Sequence, residues 1–291
     1  MRKDGRYLRD TDAMYKVACH IMKERSDAMN MVEIHIPLEP MRAYIADKRA
    51  AGKQISHAAL VIAAYLRATA EFPQMNRFVV NKRVYARNEF TVGMVVLKPG
   101  SAEDTMNKMH FELEDDIFAV QEKMTAYIEE NRKPGEHNQT DKIINILVGI
   151  PGLLRFGVAF LKGLDKFGLL PRSIIEASPF HCTFTISNLG SIRSRHIFHH
   201  VYNFGTTGAL VTMGSPVEVP MRKGGEVVFE HCLPLGVVTD ERIANGKYMT
   251  LFMHRIEEYL RQPEKLEGPP PVVIREYLKE KKTKKKEQSD V

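Results

Sequence analysis

Residues 56–72, SHAALVIAAYLRATAEF, constrain the fold more than any other stretch of the chain. Ala, Leu, Val and Ile occupy almost the whole circumference of a helix here, Ser56 supplies an N-cap, and Pro73 ends the run. A helix that is apolar on most faces cannot lie on a surface and must be enclosed. The segments that follow, RFVV and RVYAR around an Asn81-Lys82 turn and then FTVGMVVLK, are rich in β-branched and aromatic residues. They predict a hairpin followed by a central strand, and hence a sheet to cover that helix.

The rest of the chain alternates between the two periods. Apolar residues at helical spacing behind Asp12 predict a helix within Thr11–Met29, MVEIHI predicts a strand, and Glu39–Ala51 predicts a helix that stops at Gly52. The stripe Met109, Leu113, Ile117, Val120 and Met124 predicts one long solvent-facing helix over Glu103–Glu130, broken by KPGEHNQTD. Strands resume with CTFTIS, GALVTMG, VEVPMRK and VVFEHCLPLGVVT, with Lys223-Gly224-Gly225 as a hairpin turn. A last helix carries Met249, Phe252, Met253, Ile256 and Leu260 and ends at Pro263. No repeat is visible, so the expected architecture is a single α/β domain, a mixed sheet flanked by helices, over residues 1–267, followed by a Pro-rich linker and flexible basic tail over 268–291. A chain of 291 residues buries about three quarters of its unfolded surface, ample for such a core.

Charge and motifs exclude several functions. Lys and Arg number 42 against 36 acids, a net of +6, but half of that excess lies in Arg275–Val291. The body is close to neutral, which argues against a nucleic-acid groove. Cys19, Cys182 and Cys232 are widely spaced and odd in number, and the N-terminus is charged throughout, so a reducing, cytoplasmic setting is expected. The chain contains no GxGxxG, GxxxxGK[ST], HExxH or GxSxG. His199-His200 is the densest histidine cluster, but neighbours on a strand would face opposite ways, so no metal is expected, and His57 reads as a packing residue. The run Ile143–Phe160, within an apolar insert of about 141–168, has only Asn145 and Arg155 as polar interruptions. Its Pro and Gly residues and Arg155 argue against a spanning helix. The remaining readings are a buried helical pair or oligomer contact, and a membrane-surface or apolar-substrate contact.

FTISNLG, residues 184–190, and LPLGVVTDERIANG, residues 233–246, occur in an order that resembles the catalytic domain of the dihydrolipoyl acyltransferases of 2-oxoacid dehydrogenases, relatives of chloramphenicol acetyltransferase. Weaker agreement through EFPQMNRF and FTVGMVV extends the resemblance over roughly Arg42–Leu266. It implies a chloramphenicol acetyltransferase-like fold, a homo-oligomer, in relatives a trimer, with active sites at subunit boundaries, and coenzyme A or acyl-CoA as substrate. In that family a D-H-R-x-x-[DN]-G turn presents a histidine that deprotonates a thiol, and the serine of the TIS strand of a neighbouring subunit stabilises the oxyanion. By position, Ser187 is that serine, Asp240 and Arg242 build the turn, and Asn245-Gly246 close it.

Glu241 stands where the histidine should be. A thiol of pKa about 8.5 passes its proton uphill by about 2 units to histidine and about 4 to an ordinary glutamate, a difference near 3 kcal/mol or a hundredfold in rate. His196, His199 and His200 lie between the two motifs, and His199 and His200 are the alternative candidates for a base. The family's lipoyl-bearing domain and Ala/Pro linker have no counterpart in the sequence, so no covalent lipoyl group is expected. Two functions follow: acyl transfer from acyl-CoA to an unidentified acceptor, or a noncatalytic relative acting as a trimeric binding or assembly module.

Overall fold

The computed structural model describes residues 2–97, 104–132, 149 and 153–276. The KPGEHNQTD break, most of the first half of the apolar run and the basic end beyond Glu276 lie outside the described residues. The first strand, β1 (Gly5–Tyr7), precedes α1 (Ala13–Ile21), β2 (Met29–Pro37), α2 (Leu38–Ala50) and α3 (His57–Glu71). Next come β3 (Arg77–Val80), β4 (Arg83–Arg87), β5 (Phe90–Leu97), β6 (Asp104–Phe111) and α4 (Ile117–Arg132). Then follow α5 (Leu153–Lys166), α6 (Arg172–Ala177), β7 (Phe184–Asn188), β8 (Ala209–Met213), β9 (Val217–Lys223), β10 (Glu226–Asp240) and α7 (Gly246–Arg261).

The expected caps form. Asp12 accepts from the Met14 amide at 2.7 Å, and Ser56 Oγ accepts from the Ala59 amide at 3.1 Å. Asn81 and Lys82 both take positive φ, the twist a two-residue hairpin needs, and the glycines of the β9–β10 turn do the same. As its composition requires, α3 is enclosed: Ala58 through Ala70 are all buried. Tyr65 stacks on Phe184 of β7 at 3.9 Å between ring centroids and meets Phe252 of α7 edge-on at 4.9 Å. The one guanidinium in this helix, Arg67, donates to the carbonyls of Leu266 and Gly268, which satisfies a buried charge and pins the chain after α7. Residues 268–276, expected to begin a linker, lie against the body: Ile274 N donates to Ala70 O at 2.8 Å and Arg77 pairs with Glu276.

The main sheet runs β2-β10-β8-β7-β5-β6, and β9 pairs with the first half of the 15-residue β10. Only β5–β7 and β7–β8 are parallel, so the sheet is mixed as expected. A second sheet, β1-β4-β3, carries the hairpin. One expected helix is partly a strand. Residues 104–111, assigned to a long helix, form β6 along β5, and the helix starts at Ile117, where Asp116 caps the amides of Phe118 and Ala119. Met109 and Phe111 enter the core on a period of two, against Val92 and Phe90. Pairing covers an edge of β5 that a helix would have left open.

The N-terminus and α5 meet in a buried polar cluster. Arg2 bridges Asp4 and Asp165 at 2.8 Å each. His181 lies 2.8 Å from Ser178 Oγ through Nδ1 and 3.4 Å from Asp165 through Nε2. Burial holds the His181 imidazole below its ordinary pKa despite Asp165, and burial together with Arg42 does the same for His57. At Asp165, burial alone would raise the carboxyl, but hydrogen bonding from His181 and the charge of Arg2 outweigh it and hold the carboxyl below its usual value. A histidine depressed in the folded state contributes stability that is complete above its unfolded pKa, about 6.5, and is lost as pH falls through the folded value. The carboxylate acts in the same sense but only at and below the ordinary carboxylate range. The melting temperature is therefore expected to fall between pH 7 and pH 5, and His181→Gln, though less stable at pH 7, should fall by less across that interval. An identical pH slope in both proteins, measured by calorimetry, would rule out His181 as a source of it.

Candidate functional site

The segment 240–246 is a turn whose geometry is set by charge. Asp240, the last residue of β10, is buried, and its carboxylate accepts from Arg242 Nε at 2.8 Å, Nη2 at 2.7 Å and the Arg242 amide at 3.1 Å. Arg242 also reaches the carbonyl of Met22 at 3.2 Å. The buried Arg25 guanidinium stands 3.9 Å from the same carboxylate and donates to the carbonyls of Tyr202 and Val79. Burial lowers Arg25 to about 10 against the pull of Asp240, whereas at Arg242 the hydrogen bond and charge of Asp240 overcome burial and raise it. Burial also pushes the neighbouring Cys19 thiol up to about 11, so it stays protonated and is no nucleophile.

Arg242 thus pairs with Asp240 and not with Glu241. Glu241 donates its amide to Ala28 O at 2.8 Å, and its side chain is exposed and makes no hydrogen bond among the described residues. Asn245 is a structural residue. Its Oδ1 accepts from the Tyr248 amide at 2.9 Å as the N-cap of α7, and its own amide donates to Tyr15 Oη at 3.1 Å. Gly246 is the first residue of that helix.

Ser187 lies in β7, with its hydroxyl unengaged among the described residues. Phe184 and Ile186 of the same strand enter the core, so Ser187 and Thr185 face the side of the sheet away from α3 and α7. In register, Ser187 lies opposite Thr212, Thr212 opposite Gly236, and Gly236 opposite Glu33. Glu241, just past the end of β10, is five residues beyond Gly236, an offset of roughly 16 Å at the rise of an extended strand, and β10 is itself two strands from β7. Within one chain the expected oxyanion donor and the expected base therefore sit at different ends of the sheet and do not meet.

The segment 194–203 crosses this face between them. Its course is irregular, so the expectation that His199 and His200 face opposite ways on a strand fails: their rings stack at 4.8 Å, Nδ1 of His199 lies 2.9 Å from His200 O, and both rings contact Tyr202. Neither is hydrogen-bonded to Ser187 among the described residues. His196 is closer to the serine's row, beside Gly236, where a Cβ would come within 3.1 Å of its ring. His196 Nε2 lies 3.3 Å from Glu33, whose carboxylate also meets His35 Nε2 at 3.0 Å. This Glu33–His35–His196 group is the ionisable constellation that sequence reasoning missed. The alternation in MVEIHI was its signal, since it sets Glu33 and His35 on the same face away from the core. Glu89, His110 and Glu176 also cluster, with candidate ligand atoms within 4.8 Å, but Arg172 pairs with Glu89 at 2.7 Å and Lys108 with Glu176 at 3.5 Å, so these carboxylates already serve cations.

Three comparisons bear on this geometry. The family model of the 2-oxoacid dehydrogenases acyltransferase (catalytic domain) matches residues 180–267, which contain both β7 and the turn. The dihydrolipoyllysine-residue acetyltransferase component of the acetoin cleaving system of Bacillus subtilis (strain 168) is 33% identical over 81 residues, 28% of this chain and 20% of that protein, so the match spans about one fifth of the relative. Among solved structures, the cubic core of the pyruvate dehydrogenase multienzyme complex aligns over 89% of this chain and 93% of its own at a TM-score of 0.57 and 14% identity. A truncated catalytic core of the 2-oxoacid dehydrogenase multienzyme complex from Thermoplasma acidophilum aligns over 89% and 99% at 0.55 and 13%, and a chloramphenicol acetyltransferase over 88% and 99% at 0.53 and 12%. Such low identities establish the fold and no more. Residues 180–267 thus match the catalytic-domain model of the 2-oxoacid dehydrogenase acyltransferases, and the described chain has the chloramphenicol acetyltransferase-like fold that those solved cores share.

Proposed function

We propose that this protein is a CoA-dependent acyltransferase whose active site is completed by a second copy of the chain. The observation that carries the reading is the separation of its two halves: the Ser187 hydroxyl is unengaged and the Glu241 side chain is exposed, yet within one protomer they are two strands apart across the sheet and offset by roughly 16 Å along it. Two copies that set the serine of one against the turn of the other bring the two groups together. The oligomeric cores among the structural relatives support a homo-oligomer of this kind, with a trimer as the smallest closed ring that gives every copy both neighbours.

The chemistry is acyl substitution. Glu241 accepts the proton of an acceptor thiol, amine or hydroxyl as that atom bonds to the acyl carbon of acyl-CoA. The carbonyl oxygen becomes an oxyanion and accepts a hydrogen bond from Ser187 Oγ. Collapse breaks the bond from carbon to the CoA sulfur, and the departing thiolate takes the proton back from Glu241. These steps call for no metal and no covalently bound lipoyl group. Since a glutamate is a weaker base than a histidine at this step by about 3 kcal/mol, the chain is a slow transferase by the standard of its family's histidine.

Purified protein supplied with acyl-CoA and a panel of thiol, amine and hydroxyl acceptors should release CoA above the buffer rate, read with a thiol reagent. Ser187→Ala should lower kcat by on the order of a hundredfold, the usual cost of one oxyanion donor. Glu241→His should raise it by a similar factor. Release that never exceeds buffer, in the natural protein and in Glu241→His alike, would instead support the noncatalytic assembly module. Independently, Asp240→Asn leaves two buried guanidiniums without their carboxylate and should cost about 3–5 kcal/mol in urea unfolding, whereas Asn245→Ala should cost about 1 kcal/mol as a lost helix cap.

A further inference from the structure

The helix α5 carries a face that nothing among the described residues covers. Phe156, Phe160 and, just past the helix, Phe167 are 73%, 66% and 68% exposed. Their spacing of four and seven residues places them within about 40° of one another around the helix. The opposite side is the attached side, where Asp165 is buried and held by Arg2 at 2.8 Å. The rings therefore point straight away from the body as a convex ridge, a shape that cannot enclose a ligand but can enter a fluid apolar layer.

The charges beside the ridge have one sign. Arg155, Lys162 and Lys166 are all exposed, and the helix's only acid is the buried Asp165. This cationic flank opens onto a cleft of about 350 Å³ that is also lined by Lys23, Arg25, Lys82 and Arg242. The two carboxylates at the cleft are occupied, Asp165 by Arg2 and Glu24 by Asn203 Nδ2 at 2.7 Å. Arg25 is only 5% exposed and faces Asp240 through Nε at 3.9 Å, and Arg242 pairs with the same carboxylate, so the cations of the cleft left for a ligand are Lys23, Lys82, Lys162 and Lys166.

We infer that α5 is an interfacial helix that docks the protein on an anionic lipid bilayer, its phenylalanines entering between the acyl chains while Arg155, Lys162, Lys166 and the adjoining cleft take up headgroup phosphates. Charge complementarity selects this occupant. A second copy meeting the ridge symmetrically would set the same cations face to face, and three aromatic side chains on one helix fall short of the roughly 800 Å² per partner of a stable interface. No helix among the described residues is long and apolar enough to cross a membrane, so the contact is with the surface.

Flotation of the full-length protein with phosphatidylcholine vesicles, with and without about 30% phosphatidylserine, at low salt and at about 0.5 M salt, tests this directly. Recovery with the anionic vesicles at low salt should exceed that with neutral vesicles at least fivefold and should fall at high salt. The pair F156E/F160E should lose at least tenfold, and K162E/K166E should lose most of the preference for phosphatidylserine, with melting temperature and sedimentation coefficient unchanged in both. Failure to float with either vesicle, or equal recovery with both, overturns the proposal. So does an F156E/F160E protein that floats as before, or one that shifts to a smaller oligomer while binding lipid normally, a result that would assign the ridge to a second copy.

Discussion

A single buried carboxylate organises the end of the sheet on which the turn is built. Asp240 faces Arg242 at hydrogen-bond distance and Arg25 at 3.9 Å, and these two guanidiniums hold the carbonyls of Met22, Tyr202 and Val79. Four separate stretches of chain converge on one negative charge. Such a cluster is costly to desolvate and tolerable only because nearly every donor is satisfied, so the removal of the carboxylate is felt by every segment it gathers. It fixes where β10 ends, how sharply the chain turns, and at what angle α7 begins.

Much of the fold is legible in the sequence where composition leaves one physical choice. An Ala- and Leu-rich run apolar on nearly every face has to be enclosed, and α3 is buried from Ala58 to Ala70. Asn81-Lys82 and Lys223-Gly224-Gly225 have to turn, and they do so with positive φ at Asn81, Lys82, Gly224 and Gly225. Residues 104–111 mislead because Met109 fits either period, and the choice is made by a partner strand that local pattern cannot reveal. Asp116 marks the true helix start. The motif residues stand out through the resemblance, but their separation along the sheet depends on register, and the pairing of Arg242 with Asp240 instead of Glu241 depends on side-chain direction, neither of which spacing encodes. Glu33, His35 and His196 come from a strand and a loop far apart in sequence, so only the folded sheet unites them.

The arrangement of the turn explains how position 241 can vary without loss of the fold. Every structural bond of the segment is made by another group: Asp240 and Arg242 by their side chains, Glu241 by its amide to Ala28, Asn245 by its cap on Tyr248. The Glu241 side chain makes none of these bonds and projects into solvent. The same scaffold would hold a histidine or a glutamate in the same place, so substitution there changes the side chain presented and leaves the conformation that presents it. A turn built in this way is indifferent to the side chain at position 241, because Asp240, Arg242 and Asn245 hold its backbone without help from it.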